Sequence, residues 1–134
     1  MTKTTATLTA RSPEDVLAAV PLVLGFMPEE SVVMLTFGAE HPFHARLDLP
    51  RSARERRAAA EALVDPAVRH RVRQVLFVLY AADAALARAC ARALVRAFAR
   101  RGVAVVDMLR SDGRCWFVGR STRPAPSRRA RPTT

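Results

Sequence analysis

Ser12-Pro-Glu-Asp-Val-Leu-Ala-Ala-Val-Pro-Leu-Val-Leu-Gly-Phe-Met-Pro-Glu-Glu-Ser-Val-Val-Met-Leu35 places a capped helix, a glycine stop, an acidic turn and a buried strand in one unbroken run. Ser12 reads as an N-cap and Pro13 as the first helical residue. Glu14 and Asp15 then set negative charge against the free amides of the first turn. Val16, Leu17, Val20 and Leu24 recur on one face. Pro21 lacks an amide hydrogen and should kink or shorten the helix, and Gly25 is its natural stop. Met27-Pro-Glu-Glu is a turn whose geometry the proline sets. Ser31 to Phe37 is apolar and rich in β-branched residues, as a strand requires.

The same grammar extends outward. Thr4–Ala10 alternates threonine with alanine or leucine and predicts an edge strand. Phe43–Leu49 alternates as a second strand antiparallel to the first across a turn at residues 38–42. Ser52 caps a helix to about Val64, and Asp65-Pro66 is expected to restart a short helical turn through Arg73. Gln74-Val-Leu-Phe-Val-Leu-Tyr80 holds five consecutive apolar residues, which implies a central strand covered on both faces by helices. Asp83 caps a helix that Gly102 stops, with Leu86, Cys90, Leu94 and Phe98 on its apolar face. Val103–Leu109 is a strand, and Arg114–Val118 pairs back on it as a hairpin. The expected order is β-α-β-β-α-β-α-β-β: an α/β single domain over residues 1–118, with a mixed parallel and antiparallel sheet flanked by helices. Strands joined by helices should run parallel and strands joined by short turns antiparallel. Residues 119–134, rich in arginine and proline, cannot bury enough surface to fold and form a disordered tail.

The 134 residues carry a net charge of +10, and the source of that charge decides what it means. Lys3 is the only lysine, and the arginine skew, with abundant alanine, valine and proline, resembles GC-rich coding. Five arginines (Arg120, Arg123, Arg128, Arg129, Arg131) sit in the tail; the rest of the chain holds 17 basic and 12 acidic residues. No apolar run is long enough to span a membrane, and no secretory signal opens the chain, so a cytoplasmic protein with no membrane contact is expected. Cys90 and Cys115 have neither disulfide nor metal spacing, and Cys90 reads as a small buried hydrophobe.

The run from Ser12 to Val33, with Val75-Leu-Phe-Val-Leu-Tyr80, Arg101-Gly-Val-Ala-Val-Val-Asp-Met-Leu-Arg110 and Asp112-Gly-Arg-Cys-Trp116, resembles the domain of unknown function 4192 family of actinobacteria. The resemblance spans about residues 9–118 and is most specific in its first quarter. It implies a fold and no activity. Met27 stands where the family usually has a histidine, so no role of that histidine carries over. The family usually continues past the tryptophan hairpin into a cysteine- and proline-rich turn. This chain has an arginine-rich tail there instead, as a truncated or frame-shifted member would.

Three functional readings stay open. In an open α/β sheet, ligands favour the carboxyl ends of parallel strands near a reversal of strand order. Tyr80, Asp83, Asp107 and Arg110 are expected there, with Glu29, Glu30 and Ser31 on a loop able to close over them. This group would suit a polar ligand, or a small-molecule or metal-dependent enzyme centred on Asp107. Each residue also has a structural account: Asp83 as a cap, Glu29 and Glu30 as a solvated turn, Tyr80 as a strand end, and Asp107 as the partner of Arg110 or Arg114. His41, His44 and His70 make no metal set, no glycine-rich phosphate loop or serine elbow exists, and no cofactor is expected. Arg88, Arg92, Arg96 and Arg100 repeat every four residues, about 140° from the apolar face of their helix. They form either a non-specific nucleic-acid-binding stripe or a solvated face. The leading expectation is a binding or protein-interaction module that meets an unknown protein partner or self-associates.

Overall fold

A computed structural model of the chain describes residues 13–38, 42–112 and 116–118. Eight elements follow one another: α1 (Pro13–Leu24), β1 (Ser31–Phe37), β2 (His44–Asp48), α2 (Ala53–Arg69), β3 (Gln74–Tyr80), α3 (Ala84–Arg100), β4 (Ala104–Ser111) and β5 (Trp116–Val118). The order is the expected one from its first helix onward. The strand expected over Thr4–Ala10, the Ser12 cap, His41, Cys115 and the tail lie outside the described residues.

The described strands form one sheet in the order β2-β1-β3-β4-β5. β1 pairs antiparallel with both β2 and β3, β3 pairs parallel with β4, and β4 pairs antiparallel with β5. β2 and β3 are therefore parallel, with β1 between them and α2 as their crossover. The sheet is mixed and flanked by helices, as the sequence implies.

Alternation along the strands sends side chains to two separate cores. On one face Val32, Met34, Val75, Phe77, Leu79 and Met108 meet Leu63, Val64 and Ala67 of α2, and Cys90, Leu94 and Phe98 of α3. Phe77 and Phe98 meet edge to face there, with centroids 5.1 Å apart. On the other face Val33, Leu35, Leu76, Val78, Tyr80 and Leu109 pack beneath Val16 and Val20 of α1. Six of the seven β3 residues are buried, as a central strand between helical layers should be. Thr36 is buried but not orphaned: its hydroxyl donates to the Phe43 carbonyl at 2.8 Å and accepts the Phe43 amide at 2.9 Å.

Prolines interrupt the helices less than expected. α2 runs on through Pro66 to Arg69 instead of restarting there. Proline removes a single amide donor, while burial of Leu63, Val64 and Ala67 holds both sides of it in the core. α1 likewise continues past Pro21 to Leu24, and Gly25 closes it through a 2.8 Å bond from its amide to the Pro21 carbonyl.

α2 and α3 end in the same motif with different residues. After α3, Gly102 at φ +78° lets its own amide reach Ala99 and the Val103 amide reach Phe98. After α2 the same position is Arg71 at φ +58°, with its amide on Val68 and the Val72 amide on Ala67. This is the Schellman closure, in which glycine is the usual left-handed residue. Arg71→Gly is therefore expected to raise stability by roughly 0.5–1 kcal/mol, because the left-handed conformation strains an L side chain and not glycine. Urea melts of the two proteins measure it; no gain, or a loss, contradicts the strain.

Candidate functional site

The register sets one line of residues across the sheet on the α1 side. Asp48 faces Ser31, Ser31 faces Tyr80 and Tyr80 faces Ser111. Cross-strand neighbours share a face, so this row lies at the carboxyl ends of parallel β3 and β4, below the end of α1. The Ser31 hydroxyl donates to the Glu29 carbonyl at 2.7 Å and accepts Arg46 Nε at 3.0 Å. The same guanidinium holds Asp48 at 2.8 Å.

The loop before β1 does close over the end of β3, through Glu30. Its carboxylate accepts the Ala82 amide at 3.0 Å and pairs with Arg51 at 2.7 Å. Glu30 sits at φ +44°, a conformation unusual outside glycine and asparagine, and these two contacts fix it. Arg51, Arg46 and Asp48 were not singled out by sequence reasoning. Arg46 and Asp48 lie on the strand expected beside β1, but their place next to Ser31 depends on the register of that pairing, which local patterning does not fix.

Tyr80 lies within this row with only 4% of its surface exposed. Among the described residues its hydroxyl is a buried side-chain oxygen without a hydrogen-bond partner. Burial pushes the phenol up to about 12 from its ordinary 10, because ionisation would place a charge in an apolar layer. Cys90, in the opposite core, is likewise raised to about 11 by burial, against the opposing pull of the nearby Arg56 guanidinium. It is a packed thiol, not a nucleophile.

The remaining sequence candidates do not converge on Tyr80. Asp83 caps α3, accepting the Ala85 and Leu86 amides at 2.8 and 3.2 Å. Asp107 faces Leu76, four residues and about 13 Å along β4 from the Tyr80–Ser111 row. It follows a β-bulge: Val75 pairs with Val105 and Leu76 with Asp107, which leaves Val106 as the extra residue. The bulge turns Asp107 to the half-exposed α1 side, where its carboxylate accepts the adjacent Met108 amide at 2.8 Å. Of the two arginines expected beside it, Arg110 points elsewhere, since its guanidinium donates to the Ala81 carbonyl at 2.9 Å, and Arg114 lies outside the described residues.

A second physical point separates this sheet from the expected one. The chain passes from β2 to β3 to β4 in a single direction, and α2 and α3 both cover the same face. Among the described strands there is no reversal of order, and hence no crevice of the kind that holds ligands in doubly wound sheets. His44 stands four residues along β2 from Asp48, about 13 Å from the row, and His70 is stacked against Phe43 at 5.4 Å. Among the described residues no group of three or more His, Cys, Asp or Glu side chains could hold a metal ion. No helix there is long and apolar enough to cross a membrane.

Beside the polar row lies an apolar surface that the sequence reading passed over. Leu22 is 83% exposed, Phe26 50% and Met27 60%. All three fall within six residues at the end of α1. Arg46 reaches over the Phe26 ring, 6.0 Å from its centroid. On the far side of the molecule Arg88, Arg92, Arg96 and Arg100 are all exposed along α3.

A family model described as a domain of unknown function, DUF4192, matches residues 13–128. No curated protein and no solved structure matches the chain.

Proposed function

The chain belongs to the DUF4192 family, whose description names no activity, and we propose that it is a protein-interaction module whose contact surface is the end of α1 and the following turn. The observation that carries this reading is the exposure of Leu22, Phe26 and Met27 together. Fully burying a leucine, methionine or phenylalanine side chain gains about 1.5–3 kcal/mol relative to leaving it in water. Three such residues exposed within six positions are the kind of surface that a partner covers. The composition supports the reading as well. Aromatic residues, methionine and arginine are enriched at protein interfaces, and Phe26, Met27 and Arg46 supply one of each.

The first partner to test is a second copy of the chain, since a two-fold contact sets the same patch against itself. Sedimentation velocity over rising concentration is expected to show a dimer that Leu22→Gln with Phe26→Gln reduces to monomer. Both positions are exposed, so thermal unfolding of the dilute variant should be unchanged. Val95→Gln, which alters an exposed apolar residue on α3, should leave the dimer intact. A chain that stays strictly monomeric at the highest concentration contradicts the self-association form of the proposal.

The enzyme reading centred on Asp107 draws less support. Asp107 lies about 13 Å from the Tyr80 row, and Arg110 faces Leu79, on the side of the sheet opposite Tyr80. General acid–base chemistry needs such groups within hydrogen-bond reach of one another or of a shared substrate.

A further inference from the structure

The charge of this molecule is divided unevenly along the chain. Residues 51–101 hold twelve arginines and four acids, while the rest of residues 1–118 holds five basic and eight acidic residues. Residues 51–101 are α2, β3, α3 and their joining turns, and β3 carries no charged residue. The cationic excess therefore lies on the two helices and their ends, which together cover one face of the sheet. GC-rich coding supplies arginine in place of lysine but does not concentrate the cationic excess in one segment of a fold.

Most of the acids in this segment are already engaged. Glu55 accepts the Arg51 amide at 2.7 Å beside the Ser52 cap, Asp65 pairs with Arg101 at 3.3 Å, and Asp83 holds the first amides of α3. Among the described residues none of Arg88, Arg92, Arg96 and Arg100 forms an ion pair. They stand exposed on the side of α3 away from Cys90, Leu94 and Phe98. Like charges at this spacing cost a helix about 0.2–0.5 kcal/mol per neighbouring pair, a cost that a polyanion would reverse.

We propose that the outer face of α3, flanked by the arginines of α2, binds double-stranded DNA through its phosphate backbone. The row rises about 6 Å per arginine and spans about 18 Å. A B-form duplex carries one phosphate charge per about 1.7 Å of axis, so four cations spread over about 18 Å, turning about 40° per step around the helix, meet a dense, winding line of anions. Two features favour duplex DNA over an acidic protein or a single strand. Protein interfaces are anchored by aromatic and large apolar side chains, and single strands bind by stacking on aromatic rings. The exposed side of α3 has no aromatic residue, and Val95, 45% exposed, is its one large apolar side chain. The contact is therefore electrostatic and blind to sequence.

Fluorescence anisotropy of a labelled duplex of about 20 base pairs, two helical turns, tests this on the full chain. With four phosphates neutralised by the row, affinity should fall about 100-fold between roughly 50 and 200 mM salt. R88Q/R92Q/R96Q/R100Q should weaken binding and flatten the logarithmic salt slope by about 4, one unit per lost phosphate contact. Glutamine keeps nearly the helix propensity of arginine, and an unchanged circular dichroism spectrum verifies the fold. R120Q/R123Q/R128Q/R129Q/R131Q, which discharges the tail, should retain a steep slope. The proposal is overturned if the four-residue variant binds as well as the parent chain, if discharging the tail abolishes binding, or if polyglutamate competes as strongly as unlabelled duplex.

Discussion

Phe98→Ala is expected to cost about 3–5 kcal/mol of stability, the range for truncating a fully buried phenylalanine. Phe98 is fully buried against Phe77, where α3 meets the central strand. The loss has two parts: the transfer free energy of the ring, and the cavity left between elements that cannot close up. β3 is pinned by β1 and β4 on either side, and α3 is fixed at its start by Asp83 and at its end by the Gly102 closure. Domains of this size are stable by about 5–15 kcal/mol in total. The melting temperature should accordingly fall by some 10–20 °C. Phe77→Ala should behave alike, and the double variant should lose less than the sum, because the two rings share one contact. Urea melts of the three variants measure this; a single-variant loss below about 1 kcal/mol would mean that the two-helix layer does not pack as described.

Alkaline titration should give the second large effect, and it isolates a single group because Tyr80 is the only tyrosine. The folded phenol is raised to about 12 from 10. Its neutral form is therefore favoured by folding, and that contribution is complete below pH 10. As pH rises from 10 toward 12 the unfolded chain releases the proton while the folded chain keeps it, so stability falls. A two-unit gap corresponds to about 2.7 kcal/mol at its limit. Phenolate absorbance should thus appear late, together with unfolding, and not near pH 10. Tyr80→Phe removes the titrating group and a buried unpartnered hydroxyl. It should be at least as stable as the parent at neutral pH and lose less stability between pH 10 and 12. Phenolate appearing near pH 10 in the folded chain would show that the hydroxyl is solvated.

What was legible in the sequence was what neighbouring residues decide among themselves. The apolar run of β3, the Asp83 cap, the four-residue recurrence of α3 and the Gly102 stop each state their structure locally, and the sheet's mixed character follows from their order. The Arg71 closure was not legible, because its left-handed residue is not glycine and nothing nearby marks it. Pro66 misled for a related reason: the interruption is local, whereas the burial that carries the helix through it is tertiary. Asp107 was flagged as anomalous, yet its explanation is a bulge against β3, a property of pairing. The row of Asp48, Ser31 and Tyr80 depends wholly on β2 and β3 flanking β1, so only its members on the predicted loop and strand end could be named. Leu22 and Phe26 drew no reading in the sequence and Met27 that of a turn residue, because their exposure is decided by packing.

Hydrogen–deuterium exchange of the full chain at low and high concentration tests the central claim most directly, because it locates the contact as well as detecting it. The account predicts added protection at high concentration confined to residues near 20–28, at the end of α1, and to β2 around Arg46. α3 amides should be unchanged. Protection that instead falls on α3, or no change anywhere as concentration rises, would contradict self-association through the end of α1.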